Sequence, residues 1–131
     1  MANYYASGRS NYFRVKDVEA FKNEVKVIGS LEVYEKDGFI SLLSNNEGGF
    51  PNDHFDEYAD DYLEIDWDAI FAKHLADEEV AIIMEAGSEK LRYINGYAVA
   101  YNNKGESRIV TLNSIYDLAK ELGSNITRAE Y

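Results

Sequence analysis

Cysteine is absent from this 131-residue chain, and proline occurs once, at Pro51. Lack of cysteine removes disulfides, thiolate metal centres and cysteine nucleophiles together, and it suits a reducing compartment such as the cytoplasm. Long apolar runs are missing as well. No window approaches the roughly 20 apolar residues of a membrane span, and the opening MANYYASGRSNYF has no apolar segment of the kind that leads a secreted chain. Basic residues are scarce, with 13 Lys and Arg against 24 Asp and Glu, so the formal net charge is −11. Such a chain repels phosphate backbones and anionic lipid, which predicts no direct nucleic acid, no membrane and a basic partner. Arg9, Arg14, Lys16, Arg92 and Arg108 are not clustered with interleaved aromatics, as a nucleic-acid-binding face requires.

The motifs of common catalysts are also missing. No G-x-G-x-x-G, G-x-S-x-G or H-E-x-x-H occurs, and Gly48-Gly49 leads into Phe50-Pro51 where a P-loop needs Lys and Ser or Thr. His54 and His74 each have carboxylates nearby in sequence but no recognised metal-ligand spacing. The run from Asp53 to Asp68 is dense in oxygen donors, yet it lacks the EF-hand order that ends in a bidentate Glu. Paired carboxylates do acid–base work when a cleft separates their pKa values, whereas these are many and clustered. The reading is a non-enzymatic protein with no cofactor and no metal.

What is present begins with an ordinary hydrophobic fraction, 46%, which separates this chain from acidic disordered sequences and predicts one folded domain over residues 1–131. The acid is unevenly placed. Between Glu47 and Glu85 stand 13 acids and one base, Lys73, a local charge of −12, while the rest of the chain holds 11 acids and 12 bases. A near-neutral scaffold therefore carries one acidic segment, centred on residues 45–68.

Periodicity orders the elements. Asn11 to Lys16 alternates as a half-buried strand, and Asp17 then caps a helix in which Val18, Phe21, Val25 and Ile28 recur until Gly29. Two short strands, Leu31 to Glu35 and Phe39 to Leu43, meet through Asp37-Gly38, a pair suited to the positive φ values of a tight hairpin. Phe55, Tyr58, Ala59 and Tyr62 fall at helical spacing, but like charges four apart oppose a helix, so the segment reads as a short helix or an ordered acidic loop. Asp66 caps a clearer helix running to about Asp77. Glu79 to Glu85 reads as a central strand broken at Ala86-Gly87-Ser88, followed by a long strand from Lys90 to Asn102 and another from Ser107 to Leu112. A last helix, capped by Asn113 or Ser114, is predicted to bury Ile115, Leu118, Ala119 and Leu122 up to Gly123, with residues 124–131 a frayed tail. The order predicts an α+β fold, with a mostly antiparallel sheet of about five to six strands and two to three helices on one face. Gly96, Ala98 and Ala100 are small enough to admit a helix, while Tyr93, Tyr97 and Tyr101 form a ladder on the other side, either core or dimer packing or a contact platform.

A charge run is most often a solubilising face. Here aromatic residues interrupt it, and a row of carboxylates resembles the row of phosphates to which basic grooves respond by shape and field. The candidate partner-binding residues are Asp53, Asp56, Glu57, Tyr58, Asp60, Asp61, Tyr62, Glu64, Asp66, Trp67 and Asp68, with Phe55 among the aromatics, and Tyr93, Tyr97 and Tyr101 form a secondary interface. Their expected partner is the basic surface of a nucleic-acid-binding protein.

Two stretches, SNYFRVKDVEAF (Ser10 to Phe21) and SEKLRYINGYAVAYNNKGESRIVTLNSIYDLAKELG (Ser88 to Gly123), resemble small acidic accessory proteins of phages, plasmids and integrating elements, and cover a little over a third of the chain. Such proteins are similar to inhibitors of host defence, including anti-CRISPR and anti-restriction proteins. The resemblance implies a single-domain, non-enzymatic inhibitor acting in the cytoplasm of a bacterial host, and it transfers no catalytic residue. Its stretches lie outside the acidic segment, so they bear on the scaffold more than on the binding face. The alternative is a structural or immunity-type interaction module working through the tyrosine face or a homodimer.

Overall fold

The computed structural model describes residues 4–90 and 92–129. Along them run β1 (Tyr4–Ser10), α1 (Val18–Val25), β2 (Leu31–Lys36), β3 (Phe39–Ser44), β4 (Asp53–Asp56), β5 (Asp61–Glu64), α2 (Trp67–His74), β6 (Ala81–Glu89), β7 (Tyr93–Tyr101), β8 (Ser107–Thr111) and α3 (Ile115–Ala119). Six strands form one antiparallel sheet in the order β2-β3-β1-β6-β7-β8, and β4 pairs with β5 as a separate two-stranded sheet. This is an α+β domain.

Local chemistry explains several elements. Asp37 and Gly38 take φ values of 53° and 84°, so a two-residue turn with both centres left-handed closes β2 on β3, with Lys36 opposite Phe39. Asp17 and Asp66 cap α1 and α2 by accepting from the backbone N–H of Ala20 and Ala69, each at 3.1 Å. α1 ends at Val25 and α2 at His74, short of Gly29 and Asp77, although Ile28 and Leu75 beyond them still point into the core.

The first strand is not where periodicity places it. Phe13 and Val15 alternate inward but make only isolated bridges to Ile40 and Leu75, while β1 lies upstream and buries Ala6, Gly8 and Ser10. Those inward side chains are too small to register as an apolar stripe. Their smallness lets the chain close up: a Cβ on Gly87 would run into Ala6 and the Tyr5 carbonyl. For the same reason Ala86-Gly87-Ser88 does not break the strand but sits inside β6, where Gly87 pairs with Ala6.

The core lies between one sheet face and the two longer helices. Phe13 contacts Phe21 and Phe71 edge-on, with ring centroids 5.8 and 5.5 Å apart. Ile40, Leu42, Ala81 and Ile83 close it from the sheet side, and Val25, Leu75 and Trp67 from the other. The helices cover the tyrosine side of β7, where Tyr101 packs on Phe71 with centroids 5.0 Å apart. The small side of Gly96, Ala98 and Ala100 takes neither of the longer helices, because Ile83 and Val99 share a rung and α2 follows the bulky side; what meets Gly96 is Leu112, just beyond β8.

The last helix is corrected too. A 3-10 turn at Leu112–Ser114 leads into α3, which is five residues long and leaves Ile115 58% and Leu118 60% exposed, with Leu122 beyond its end also exposed. No regular element follows up to residue 129, but Arg128 stacks over the Tyr116 ring at 4.3 Å and the Tyr116 hydroxyl accepts from the Ala129 N–H. The end of the frayed tail, at residues 130–131, falls outside the described residues.

Candidate functional site

The acidic segment folds as a β-hairpin, neither helix nor loop. Two devices turn it. The Asp56 carboxylate accepts from the N–H groups of Tyr58 and Ala59 at 2.9 and 3.4 Å, and Asp60 takes a positive φ of 52°. Short polar side chains do both jobs readily, the first as an Asx turn and the second by tolerating left-handed backbone. Phe55 then faces Tyr62 across the ladder, ring centroids 5.4 Å apart. A helical reading of Phe55, Tyr58 and Tyr62 missed this because i to i+7 spacing on a helix coincides with cross-strand pairing around a four-residue turn.

Register now sets acid against acid. Asp53 stands opposite Glu64 and Asp56 opposite Asp61. Like charges directly across a ladder are destabilising, and a lone two-stranded sheet is marginal to begin with. The hairpin persists because its base is held: the Ile65 N–H donates to the Asn52 carbonyl at 2.7 Å, and Ile65 is buried in the core. Tyr58 at the tip is fully exposed, and Phe55, Tyr62 and Leu63 are exposed along the strands. Among the described residues, none of the acids between Glu47 and Glu85 forms an ion pair, and the one base of that stretch, Lys73, is directed to Glu24 at 3.4 Å. The hairpin is thus an acidic, aromatic arm without counter-charge among the described residues.

Where the arm meets the body, the two candidate surfaces come together. Glu64, Asp66, Asp68, Asn52, Trp67 and Tyr101 line a cleft of about 420 Å³, and a second of about 250 Å³ continues past Trp67 and Tyr101 to Tyr97 and Ile109. The Tyr101 hydroxyl is pushed above its ordinary pKa by burial and by the charge of Asp68. Trp67, expected among the contact residues, is only 6% exposed and donates its indole N–H to the Pro51 carbonyl at 3.0 Å. It forms the floor of the cleft, because stacking on Phe71 and tilting on Phe50 consume its faces. Asp66, as a helix cap, and Asp68, in the first turn of α2, sit at the cleft mouth beside Glu64.

The tyrosine ladder is not one platform. Tyr101 belongs to the core and cleft, Tyr93 is exposed at the far end, and Tyr97 is half-buried with its hydroxyl donating to Glu85 at 3.3 Å. Glu85 is the polar residue that periodicity overlooked. It is buried and accepts from the Tyr4 hydroxyl at 2.9 Å and the Phe50 N–H at 2.6 Å as well. Burial, with the Glu85 charge and hydrogen bond added, drives the Tyr97 pKa upward. Gly49, at φ 99°, lies against this carboxylate, where a Cβ would collide with it. The signal was available: Glu85 continues the inward phase of Ala81 and Ile83 and so demanded partners.

Chemically, the arm and cleft offer carboxylates, aromatic edges and one imidazole, that of His54, whose buried Nδ1 has no hydrogen-bond partner among the described residues. His74 has turned away, into a 2.7 Å contact with Glu24 beneath the Phe21 ring, while His54 pairs across the hairpin with Leu63. Among the described residues no three of His, Asp and Glu converge as ion ligands, and no helix is long and apolar enough to cross a membrane. Such a surface suits cationic side chains, above all Arg, which pairs with carboxylates through a planar fork and stacks on aromatic rings. No protein-family model matches the chain, and comparison with curated proteins and with solved structures returns no match.

Proposed function

We propose that this chain is a non-enzymatic inhibitor in the cytoplasm of a bacterial host, binding the basic nucleic-acid surface of a host-defence protein such as a CRISPR effector or a restriction enzyme. The carrying observation is the β4–β5 arm, which opposes Asp53 to Glu64 and Asp56 to Asp61 and holds Tyr58 fully in solvent. Self-repulsion of this kind costs stability, and natural folds retain such local conflicts where function requires them. The tip acids Glu57, Asp60 and Asp61 mimic a run of phosphates and steer the encounter, while Phe55, Tyr58 and Tyr62 supply the area that desolvates on contact. At the base of the arm, Glu64 and Asp68 receive an arginine against Tyr101. The type of target is taken from the resemblance of the flanking stretches; the chemistry of contact is taken from the arm.

The test is affinity for purified effectors and restriction enzymes at rising salt. Binding should weaken steeply as salt screens the arm, and conversion of Asp56, Glu57, Asp60, Asp61 and Glu64 to Asn or Gln should abolish it. Tight binding that neither change affects would remove nucleic-acid mimicry as the mechanism.

A further inference from the structure

The face of the six-stranded sheet away from the Phe13 core holds a hollow of about 660 Å³. Register explains its shape. Ser7, Ala86 and Gly96 stand side by side on β1, β6 and β7 as a rung of small residues, and the next rung carries Arg9, Met84, Ala98 and Val110. Leu112 closes one end by packing over Gly96, and Leu43 and Asn46 stand at the other. Met84 is 57% and Val110 54% exposed, so apolar surface lies open to water on a face that an antiparallel sheet ordinarily makes polar. A hollow of this volume, mostly apolar with a few polar groups at its rim, has the form of a small-molecule site.

Charge selects the ligand. The strands direct three bases, Arg9, Lys36 and Arg108, and one acid, Glu32, to this face, a local excess of positive charge on a chain of −11. Glu32 stands beyond Leu43 from Arg9 and already accepts from the Tyr34 hydroxyl at 3.0 Å. Arg9 lines the hollow, is exposed, and pairs with no carboxylate among the described residues. Its guanidinium is fixed all the same: Nε donates to the Ser10 carbonyl at 3.0 Å and Nη2 to the Ser41 hydroxyl at 3.1 Å. Nη1 and the second N–H of Nη2 have no partner among the described residues, and these form the forked end that grips a carboxylate through two parallel bonds. A fork held in place beforehand loses less freedom when an anion arrives.

We infer that the hollow binds an aliphatic monocarboxylate, a fatty-acid-type anion, with its carboxylate on Arg9 and its alkyl chain laid across Met84 and Ala98 toward Val110 and Leu112. From β1 to β8 is three strand spacings, about 14 Å, a run that a medium-length alkyl chain covers. A single charge suits the site. One fork stands in the hollow, and a polyanion would meet the repulsive field of the whole chain, whereas one carboxylate against a guanidinium is screened from acids farther than about 8 Å at physiological salt. The small side chains of Ala86 and Ala98 let the alkyl chain lie close to the sheet, and the unbranched Met84 adapts to its contour. The acidic arm is anchored on the other side of the sheet, through Ile65 in the core, so the two sites are independent.

Titration calorimetry of the whole chain with decanoate, below its micellar concentration, tests this. Saturable binding of one equivalent in the micromolar range is expected, and decanol, the same chain without the charge, should bind about tenfold more weakly or worse. Arg9→Gln should bring decanoate down to the level of decanol. Met84→Glu, at an exposed position, should weaken decanoate about tenfold or more by setting a second carboxylate beside the fork. Amide NMR supplies the location: decanoate should shift Ser7, Ala86, Gly96 and Ala98 and spare Phe55, Tyr58 and Tyr62 of the arm. Absence of saturable binding, decanol bound as tightly as decanoate, indifference to Arg9→Gln, or shifts centred on the arm would overturn the proposal.

Discussion

Asp56 and Asp61 stand directly opposite each other across the β4–β5 ladder, and each also serves the backbone, Asp56 through Tyr58 and Ala59 and Asp61 through Tyr62 at 2.7 Å. Stability and binding therefore pull in opposite directions at this pair. Asp61→Asn removes the repulsion while keeping an acceptor for the Tyr62 N–H. It should raise stability by a few tenths of a kcal/mol, read as a higher thermal midpoint, and slow association with a basic target by about tenfold at low salt. A lowered midpoint would show that the opposed charges are already relieved by solvent.

Tyr58 separates contact from folding. Its side chain is fully exposed at the turn and touches no core residue. Tyr58→Ala should leave the unfolding free energy within about 0.5 kcal/mol of wild type and cost the complex about 1–2 kcal/mol if the ring is an anchor. Denaturant titration and calorimetry on the same preparation report the two quantities.

Glu85 is held by Tyr4, Tyr97 and the Phe50 backbone in a buried setting, so its removal strands three donors. Glu85→Ala should lower stability by about 2–4 kcal/mol, more than ordinary surface substitutions. Gly49→Ala, which forces a side chain onto left-handed backbone and into the same carboxylate, should cost more than about 1 kcal/mol. Urea unfolding followed by Trp67 fluorescence reads both, because Phe50, next to Gly49, packs on that ring with centroids 5.2 Å apart.

Acid should loosen the packing of α1 against α2. The Glu24 carboxyl is held below the ordinary glutamate range, first by its hydrogen bond from His74 and then by Lys73. A carboxyl whose folded pKa is depressed stabilises the fold above its unfolded pKa and loses that contribution as pH falls through the folded value. The gap in urea midpoint between wild type and Glu24→Gln should therefore be present at neutral pH and close as pH drops below about 4. A gap independent of pH would assign the effect to packing alone.

Much of the scaffold was legible because its chemistry is local. Asp37-Gly38 demanded a tight turn, Asp17 and Asp66 demanded helices after them, and the largely apolar run from Glu79 to Glu85 announced a strand. The errors have separate causes. Where small residues carry the pattern, as in Ala6, Gly8, Ser10 and Gly87, burial leaves no hydrophobic trace, so β1 was invisible and β6 seemed to break. Where helical and hairpin spacing coincide, as in Phe55 to Tyr62, only the pairing partner decides. The apolar spacing of Ile115, Leu118 and Leu122 predicted burial, but α3 is short and its apolar residues remain in solvent.

For the candidate site, composition alone located the charge: 13 acids and one base between Glu47 and Glu85 are a property of the chain in any conformation. So is the absence of cysteine and of the common catalytic motifs. Only tertiary structure decided which acids face each other, that Trp67 is a floor and not a contact, and that the longer helices cover the tyrosine side of β7 and not its small-residue side. The physical reason is range. Charge and turn propensity act within a few residues, whereas the side of a sheet that a helix covers depends on bulk gathered from Phe13, Ile40, Phe71 and Ile83, which no short stretch of chain contains together.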